Sequence, residues 1–366
     1  MNEHELAILR QFCLDAEPAS CTPYGCGHIN RTYLVATAGG RCYILQKINH
    51  HTFRDVAGLM ENIELVTEHL RRKSPDPRSV LTLIRTKDGK SYLKADDGYW
   101  RVFRFVEDSI CLQQPESDAD FYESAVGFGT FQQLLSDFPA EKLHETIPNF
   151  HNTPDRYRAF HETLTRDPMH RAAQVQPEIE FALARQAEMA ALQNALDAGE
   201  LPLRVTHNDT KLNNVLFDAK TRKALCIIDL DTVMPGSALY DYGDSIRFGA
   251  ATAAEDEREL DKMEMSLERF RVFTRGYVRA CPGLTQKELE LLPLGAKVMT
   301  MECGVRFLTD HIDGDNYFSI HREGQNLDRA RTQFKLVADM ERKWDKMKEI
   351  VNEEVQNAKE NGSCCI

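Results

Sequence analysis

Three polar side chains in one short segment, Asp209, Asn214 and Asp229, have the types and the spacing needed to handle a phosphoryl group. Asp209 follows His207 by two positions and precedes Asn214 by five, and Asp229 ends an apolar run. A carboxylate placed like Asp209 can accept a hydrogen bond from an attacking hydroxyl, while an amide and a second carboxylate can hold Mg²⁺ against phosphate oxygens. Phosphoryl transfer needs mainly this positioning, because its transition state is loose. The segment therefore predicts metal-assisted phosphoryl transfer from a nucleotide.

A predicted β-hairpin brings these three side chains together. Two apolar runs, 215–217 and 224–228, are separated by polar residues, which is the pattern of two strands joined by a turn. The second strand would deliver Asp229 beside Asn214. A single His-x-Asp match arises by chance, and a buried Asp can merely cap a turn. Three matches in order favour the catalytic interpretation, with His207 ordering the loop.

This form of the motif, which lacks the Arg that protein kinases carry before the Asp, resembles that of the aminoglycoside phosphotransferase and choline kinase superfamily. Within that superfamily, the chain is similar to the N-acetylhexosamine 1-kinases over nearly its whole length. The similarity is carried by the segments 24–30, 204–211, 234–237, 244–249 and 301–308. The resemblance implies an enzyme that uses ATP and Mg²⁺ to phosphorylate the anomeric C1 hydroxyl of GlcNAc or GalNAc, giving the α-1-phosphate.

The resemblance implies an α+β, protein-kinase-like fold with two lobes. Residues 1–108 are expected to form a small nucleotide-binding lobe on an antiparallel sheet, because this part contains strand patterns and hairpin signals such as Gly39-Gly40. Residues 109–357 are expected to form a larger, mostly helical lobe with the catalytic and sugar-binding groups, since apolar residues recur there with a helical period. A tail from 358 to 366 is predicted to be disordered.

Two glycines, Gly25 and Gly27, precede the first predicted hairpin in the position of a glycine-rich phosphate loop. Such a loop lets backbone amides approach phosphates without obstruction by side chains. The pattern here is Gly-x-Gly-x-x-Asn, and two glycines in a turn are a weak signal on their own. Their position before the hairpin nevertheless favours a nucleotide-binding role.

The third predicted strand lacks the Lys with which kinases hold the α- and β-phosphates. Strand alternation places Ile44 and Gln46 on the nucleotide side and turns Lys47 away, so Gln46 takes the expected position of the Lys. Glu61 and Glu64, on the following predicted helix, are candidates for an acidic partner, but each is also consistent with a solvated helix surface. The sequence leaves open which group replaces the missing Lys.

The resemblance also implies sugar-binding residues in the second half of the chain. Besides Asp209, it assigns Arg306 and Tyr317 to contacts with the acceptor and Phe248 to a wall near the sugar ring or its acetamido group. It adds Glu302, one helical turn before Arg306. A sugar pocket needs such polar groups, because an unpaired buried hydroxyl costs about 1–3 kcal/mol. Each residue has a simpler alternative, since Glu302 and Arg306 are spaced as a helix ion pair and Phe248 is of a type common in cores.

Three further acidic residues follow the catalytic segment. Asp231 is predicted to join Asn214 and Asp229 around the metal or the substrate. Asp241 is expected to brace the catalytic loop by accepting backbone hydrogen bonds, as the comparable Asp does in the superfamily. Asp244 receives no assignment from the sequence.

The composition is that of a globular protein that handles small molecules. The chain has 366 residues, of which 42% are hydrophobic and 28% are charged, and its net charge is −12. That charge argues against a nucleic-acid partner or an anionic membrane surface, because either requires a basic patch. No apolar stretch is long enough to span a bilayer, and the first residues lack the pattern of a signal peptide. We therefore expect a cytoplasmic, monomeric enzyme whose partners are ATP and a sugar.

Three functional hypotheses follow from the residues. The first is an N-acetylhexosamine 1-kinase. The second is a kinase of the same superfamily with another acceptor, such as another hexose, an amino alcohol or an aminoglycoside, although a polycationic aminoglycoside would favour a more acidic cleft than one with Arg306. The third is a non-catalytic sugar or nucleotide sensor. Only the absent strand Lys supports the third, since Asp209, Asn214 and Asp229 are all present.

Overall fold

The computed structural model describes residues 3–25 and 29–362, which form eleven β-strands and twelve α-helices. The strands are β1 (Pro18–Pro23), β2 (Arg31–Thr37), β3 (Cys42–Ile48), β4 (Leu83–Ile84), β5 (Leu93–Ala95), β6 (Gly98–Arg104), β7 (Ser109–Cys111), β8 (Arg204–Thr206), β9 (Val215–Asp218), β10 (Ala224–Ile227) and β11 (Met234–Gly236). The helices are α1 (Glu3–Leu9), α2 (Val56–Lys73), α3 (Asp118–Leu134), α4 (Thr153–Arg166), α5 (Gln176–Leu183), α6 (Gln186–Met189), α7 (Ala191–Asp197), α8 (Ala238–Gly249), α9 (Leu267–Ala280), α10 (Gln286–Asp313), α11 (Gln325–Arg342) and α12 (Trp344–Gly362).

The first sheet is antiparallel and forms the small lobe. Its strand order is β1-β2-β3-β6-β4, and β5 also pairs with β6. The hairpin between β2 and β3 turns at Gly40, whose φ of +84° is one that residues with a side chain rarely adopt. In the register of β3 and β6, Gln46 lies opposite Arg101. These two polar residues are therefore neighbours across the centre of the sheet.

Helix α2 fastens the small lobe to the large one. It begins after Asp55, whose carboxylate accepts a hydrogen bond from the amide of Gly58 at 2.9 Å. Its side chain Leu59 is buried in a core that also contains Phe103 of β6 and Val205 of β8. Burial of each such side chain contributes about 1.5–3 kcal/mol to folding. This shared core holds β6 close to the strand that leads into the catalytic loop.

The large lobe is built mainly from helices, and the predicted catalytic hairpin, β9 and β10, forms a three-stranded sheet with β7. Helix α10, which packs against α8 and α11, carries two of the predicted sugar-binding residues, Glu302 and Arg306. It begins with a capping box in which Thr285 and Glu288 each accept a backbone hydrogen bond, and it ends at Gly314, with φ +106°. Both ends of the helix are thus fixed by local sequence signals.

The predicted α+β, protein-kinase-like fold is confirmed, with a small antiparallel sheet followed by a mostly helical lobe. The last long strand of the first sheet ends at Arg104, and β7, which begins at Ser109, pairs with β9 of the large lobe. The boundary at 108 stays a prediction. Among the described residues, no helix combines the length and the hydrophobicity required to cross a bilayer.

The end of the chain differs from the expectation. Helix α12 runs to Gly362, past position 358, where a disordered tail is predicted to begin. The helix persists because Met347, Val351 and Val355 pack against the core of the large lobe. The remaining tail residues, 363–366, lie outside the described part of the chain.

Candidate active site

The catalytic loop follows β8 and is held by Asp241 of α8. The carboxylate of Asp241 accepts hydrogen bonds from the backbone amides of His207 at 2.9 Å and Asn208 at 2.8 Å, and from the side-chain amide of Gln132 at 2.8 Å. Asn208 has a φ of +65°, which turns the chain sharply before Asp209. The predicted bracing role of Asp241 is confirmed by these contacts.

We expect Asp241→Ala to lower the free energy of unfolding by about 2–6 kcal/mol, because it leaves two buried backbone amides without an acceptor, at about 1–3 kcal/mol each. Urea denaturation measures this change. Asp261→Ala is a matched control, since the Asp261 side chain is fully exposed, and it should change the stability by less than about 0.5 kcal/mol. A similar, small change in both variants would contradict the bracing role.

His207 orders the same loop, as predicted. Its ring is buried, lies 5.6 Å from the ring of Phe128 and 6.0 Å from that of Phe131, and places Nε2 2.9 Å from the carbonyl oxygen of Ile228. The amide of Asp209 donates to its Nδ1 at 3.3 Å. Since Nδ1 accepts, the proton must sit on Nε2 and point at the Ile228 carbonyl. Both ring nitrogens therefore hold backbone in place.

Asp209 itself is half-buried and reachable from solvent. Its carboxylate accepts a hydrogen bond from the amide of Asn214 at 3.2 Å, and that amide also donates to the Asp209 carbonyl oxygen at 2.8 Å. The ammonium group of Lys211 lies 2.8 Å from the other carboxylate oxygen. Asp209, first among several causes, raises the pKa of Lys211, so the lysine is charged. Sequence reasoning missed Lys211, although its position two residues after Asp209 is a usable signal.

Asp229 lies beside Asn214, as the hairpin predicts. The amide of Ile228 donates to the carbonyl oxygen of Asn214 at 2.9 Å, which places the next residue at the catalytic loop. Asp229 adopts a left-handed backbone conformation with φ +59° and keeps solvent access. Loss of hydration raises the pKa of Asp229, and the neighbouring carboxylates of Asp231 and Asp209 add to the shift, so the pKa reaches about 6. The charges crowded here favour a bound cation.

The donor atoms fit a magnesium ion. The Asn214 nitrogen is used by Asp209, which leaves the amide oxygen as the atom to face a metal, and Asp229 makes no capping hydrogen bond to the short helix that follows it. Across residues 3–25 and 29–362, no group of three or more His, Cys, Asp or Glu side chains is arranged to hold a metal. Mg²⁺ is commonly held by only one or two protein oxygens together with phosphates and water.

Asp231, which is predicted to join the metal site, has protein partners on both of its carboxylate oxygens. One of its oxygens accepts a hydrogen bond from the side chain of Asn30 at 2.5 Å, and the other is paired with the guanidinium of Arg101. Asp231 and Arg101 are 3% and 1% exposed, so both are removed from bulk water. Both oxygens of Asp231 are thus engaged within the protein, whereas Asp229 is exposed.

Gln46 and Lys47 of β3 point in opposite directions, as the strand alternation predicts. Gln46 accepts a hydrogen bond from Nε of Arg101 at 2.9 Å and donates to the hydroxyl of Thr32 at 3.1 Å. Lys47 points the other way, to Asp97 at 2.6 Å. An Arg inside the apolar strand Gly98–Arg104 is a sequence signal that went unused. The cationic side chain that contacts Gln46 is thus Arg101 of the neighbouring strand β6.

Neither candidate Glu of α2 points at this position. Glu64 pairs with Arg85 at 2.8 Å, and Glu61 contacts His144 at 2.8 Å. Both glutamates therefore lie on the solvated surface of the helix, which was the simpler interpretation.

Of the predicted nucleotide-binding residues, Ile44 packs against the core shared by the lobes, Gly25 lies in an exposed turn with φ +79°, and Gly27 lies outside the described residues.

Glu302 is buried, and His151 links its carboxylate to the catalytic loop. Its two carboxylate oxygens are engaged by Nδ1 of His151 at 2.8 Å and by the hydroxyl of Thr153 at 2.6 Å, so it is not the helix ion pair with Arg306. His151 holds the pKa of Glu302 below its usual range, although burial by itself would raise it. The other nitrogen of His151 lies 3.2 Å from the carbonyl oxygen of Asn208. Glu302 is thereby linked to the residue before the catalytic Asp.

Arg306 lies in an aromatic cage. Its guanidinium carbon is 5.3 Å from the ring of Phe150, 5.5 Å from that of Phe318 and 5.8 Å from that of Tyr317, and one nitrogen is 3.4 Å from the Tyr317 hydroxyl. Tyr317 is 65% exposed, so it forms the outer wall. Burial, and then the charge of Arg306, lower the pKa of Arg156. Two guanidinium groups, those of Arg306 and Arg156, therefore lie close enough together to influence each other.

Asp244, unassigned from the sequence, is a second brace for the loop. It accepts a hydrogen bond from the amide of Thr210 at 3.1 Å and from the guanidinium of Arg247 at 3.0 Å. Although burial opposes the shift, Arg247 keeps the pKa of Asp244 low. Phe248, the next residue along α8, is half-buried. The structure thus places Phe248 in the helix that braces the catalytic loop.

A cavity of about 350 Å³ lies beside the catalytic loop. Phe150, His151, Asn208 and Tyr240 are among its walls, whereas Asp209 is not. The cavity therefore adjoins the predicted acceptor region without enclosing the catalytic carboxylate. A smaller apolar cavity, of about 110 Å³, lies between α2, α3 and β10 on the other side of the hairpin, and it is too small for a nucleotide.

Comparisons with known structures agree with this architecture. A microcompartment-associated aminopropanol kinase is 17% identical, with 94% of this chain and 98% of that chain covered and a TM-score of 0.58. An amicoumacin kinase in complex with AMP-PNP, Ca²⁺ and Ami is 14% identical, with coverages of 92% and 93% and a TM-score of 0.59. A choline kinase from Cryptosporidium parvum Iowa II is 12% identical, with coverages of 96% and 98% and a TM-score of 0.57. At these identities the similarity establishes the fold.

The family relationship rests on the sequence as well. The family model described as the phosphotransferase enzyme family, APH, matches residues 20–272, which is more than half of the chain and includes the glycine-rich loop, the catalytic loop and Asp229. The expected superfamily is thereby confirmed, and it agrees with a loop that presents one carboxylate, one amide and one ammonium group. The chain belongs to the APH phosphotransferase enzyme family.

Proposed function

We propose that the protein is an ATP-dependent kinase that phosphorylates the anomeric C1 hydroxyl of N-acetylhexosamines, GlcNAc and GalNAc, to the α-1-phosphate. The observation that carries the proposal is the arrangement around Asp209, whose carboxylate lies 2.8 Å from the Lys211 ammonium and 3.2 Å from the Asn214 amide. Asp241 orders the loop that presents these groups. The resemblance of the sequence to the N-acetylhexosamine 1-kinases over nearly the whole chain supports the choice of acceptor.

The nucleotide would bind between the small sheet and the catalytic hairpin. Gly25 and β3, with Ile44 and Gln46, supply one side of this space, and the similar amicoumacin kinase was solved with AMP-PNP. Asn214 and Asp229 would hold Mg²⁺. When bound, Mg²⁺ neutralises charge on the transferring phosphate and on the leaving phosphate.

Asp209 and Lys211 of the catalytic loop would have separate roles in the transfer step. Asp209 would accept a hydrogen bond from the anomeric hydroxyl and aim its oxygen at the γ-phosphorus. As the new O–P bond forms, the bond between the γ-phosphorus and the β–γ bridging oxygen breaks and ADP leaves, while the hydroxyl proton passes to the Asp209 carboxylate. Lys211 would stabilise the phosphate oxygens. An ammonium group has three N–H donors, so Lys211 can keep its contact with Asp209 while donating to a phosphate.

The acceptor region favours a neutral sugar over a cationic acceptor. Arg306 and Arg156 place two guanidinium groups in this region, and these groups would disfavour a cationic acceptor such as an amino alcohol, choline or an aminoglycoside. The guanidinium of Arg306 can donate to hydroxyl and acetamido oxygens, while Tyr317 and Phe248 offer apolar faces for the ring and the methyl group. Glu302 would contribute indirectly, through His151 and the catalytic loop. A non-catalytic sensor is disfavoured, because the groups proposed to carry the reaction, Asp209, Asn214 and Asp229, are all present.

The experiment is an assay of ATP consumption with Mg²⁺ across GlcNAc, GalNAc, glucose, galactose, choline, aminopropanol and an aminoglycoside, with phosphorus NMR of each product. We expect an α-linked anomeric phosphate on both acetamido sugars and at least about 100-fold lower kcat/KM for the cationic acceptors. Galactose and glucose serve as matched acceptors that lack only the acetamido group. Turnover confined to an amino alcohol or an aminoglycoside would refute the sugar proposal and leave the kinase chemistry intact. Absence of ATP consumption with every acceptor would refute the catalytic proposal.

A further inference from the structure

A buried polar network joins the end of the glycine-rich loop to the loop that carries Asp229. Its members come from four places: Asn30 follows the glycine-rich segment, Gln46 lies on β3, Arg101 on β6, and Asp231 in the 3₁₀ helix Leu230–Thr232. Asn30 donates to Asp231 at 2.5 Å, Asp231 is paired with Arg101, and Arg101 donates to Gln46 at 2.9 Å. The network is thus continuous from one lobe to the other.

Arg101 is the centre of this network. It is 1% exposed, and besides Gln46 and Asp231 it contacts the sulfur of Met60 on α2 at 3.9 Å. A buried ion pair gains little net stability, because both charges lose their hydration. Such a pair is better suited to fix one geometry than to strengthen a core. Here the geometry that it fixes is the position of β6 and α2 relative to the Asp231 turn.

Asn30 extends the connection to the nucleotide loop. Its side-chain oxygen accepts a hydrogen bond from the amide of Asn49 at 2.9 Å, after the end of β3, while its nitrogen reaches Asp231. Asn30 stands at the last position of the Gly-x-Gly-x-x-Asn pattern. An Asn can accept on one side and donate on the other, which a third glycine cannot do. The departure from the usual glycine pattern therefore has a structural use.

We propose that Asn30, Arg101 and Asp231 are positioning residues that keep the start of β2 and Asp229 at a fixed separation, and that they thereby determine the affinity for metal-bound nucleotide. Asp229 directly precedes the 3₁₀ helix Leu230–Thr232, which contains Asp231. The two residues therefore share one short turn of backbone, so a shift of Asp231 is expected to shift Asp229. The phosphates must meet the loop and the metal at once. The inference rests on the nucleotide use proposed above.

The test is binding of AMP-PNP, by calorimetry, with Mg²⁺ and with EDTA, to the wild type and to Asn30→Ala, Arg101→Lys and Arg101→Met. We expect Asn30→Ala to weaken binding on the order of 10-fold with Mg²⁺ and by less in EDTA, because only the metal complex needs both loops in register. Arg101→Met should weaken it more than Arg101→Lys, which retains the charge. The double variant Asn30→Ala/Arg101→Lys should bind about as weakly as the weaker single variant, since the residues act as one unit.

Arg85→Met is the matched control, because Arg85 belongs to the same lobe but forms an exposed ion pair with Glu64; it should bind within about 2-fold of the wild type. Asn30 is only half-buried, so its variant carries the test if the Arg101 variants do not fold. Variants that melt earlier but bind Mg²⁺·AMP-PNP like the wild type would overturn the proposal, as would equal losses in EDTA. A wild type that binds no AMP-PNP in either condition would instead overturn the proposed nucleotide use, and this inference with it.

Discussion

Replacement of Asp209 with Asn is expected to lower kcat by about 10²–10⁴-fold, which is the usual contribution of a positioned general base. The amide has nearly the shape of the carboxylate, but it cannot take the proton of the sugar hydroxyl. The contact with Lys211 loses its charge, whereas the loop keeps the hydrogen bonds that Asp241 provides. Initial rates at saturating ATP and acceptor measure kcat, and binding of AMP-PNP measured in parallel should change by less than about 3-fold.

The control for this variant is Asp261→Asn, which removes a carboxylate from an exposed position of the same lobe. It should retain wild-type kcat. Turnover of Asp209→Asn within about 10-fold of the wild type would show that Asp209 does not handle the hydroxyl. A fall in the melting temperature together with kcat would point to a structural effect, so thermal unfolding of both variants belongs to the experiment.

Asp229→Asn is expected to weaken the Mg²⁺-dependent binding of nucleotide by at least about 10-fold, since even residues behind a metal ligand commonly contribute that much. The metal-free protein should not lose stability. Loss of hydration, and then the nearby carboxylates of Asp231 and Asp209, raise the pKa of Asp229 to about 6. Removal of the Asp229 charge therefore relieves repulsion between these carboxylates. Titration of AMP-PNP binding with Mg²⁺, and thermal unfolding in EDTA, measure the two effects separately.

The combination of weaker Mg²⁺-dependent binding and undiminished metal-free stability distinguishes a metal ligand from a residue that only supports the fold. A structural Asp would lose stability in EDTA and leave the Mg²⁺ requirement of the folded protein unchanged. Asp231→Asn offers the contrast, because Asp231 is paired with Arg101 and its replacement leaves a buried Arg without a charged partner. An unchanged Mg²⁺ requirement in Asp229→Asn would remove Asp229 from the metal site.

The local parts of the site follow from the sequence because they depend on neighbours along the chain. Asp209, Asn214 and Asp229 lie within one loop and one hairpin, so their spacing fixes which groups meet. The opposite directions of Gln46 and Lys47 follow in the same way from the alternation of a strand. The two-lobed fold is also predictable, because strand and helix periodicities occupy separate halves of the chain.

Other groups were decided only by the tertiary structure. The partner of Asp231 is Arg101, and that of Glu302 is His151; both pairs are far apart in the sequence, and no local pattern relates their members. The helical residues after position 358 likewise depend on a core that the rest of the lobe builds. In each case several acids and bases of the right type were available, and packing of the lobes selected one.

The sequence by itself therefore determined the reacting groups, the lobe order and the family, since local spacing and periodicity encode them. The tertiary structure decided that Asp231 pairs with Arg101, that Arg101 lies against Gln46, and that Glu302 is linked to the catalytic loop through His151. The physical reason is that a buried charge is costly unless a group of opposite charge pairs with it. That partner is set by the packing of whole elements, such as β6 against the Asp231 turn, and not by any short segment.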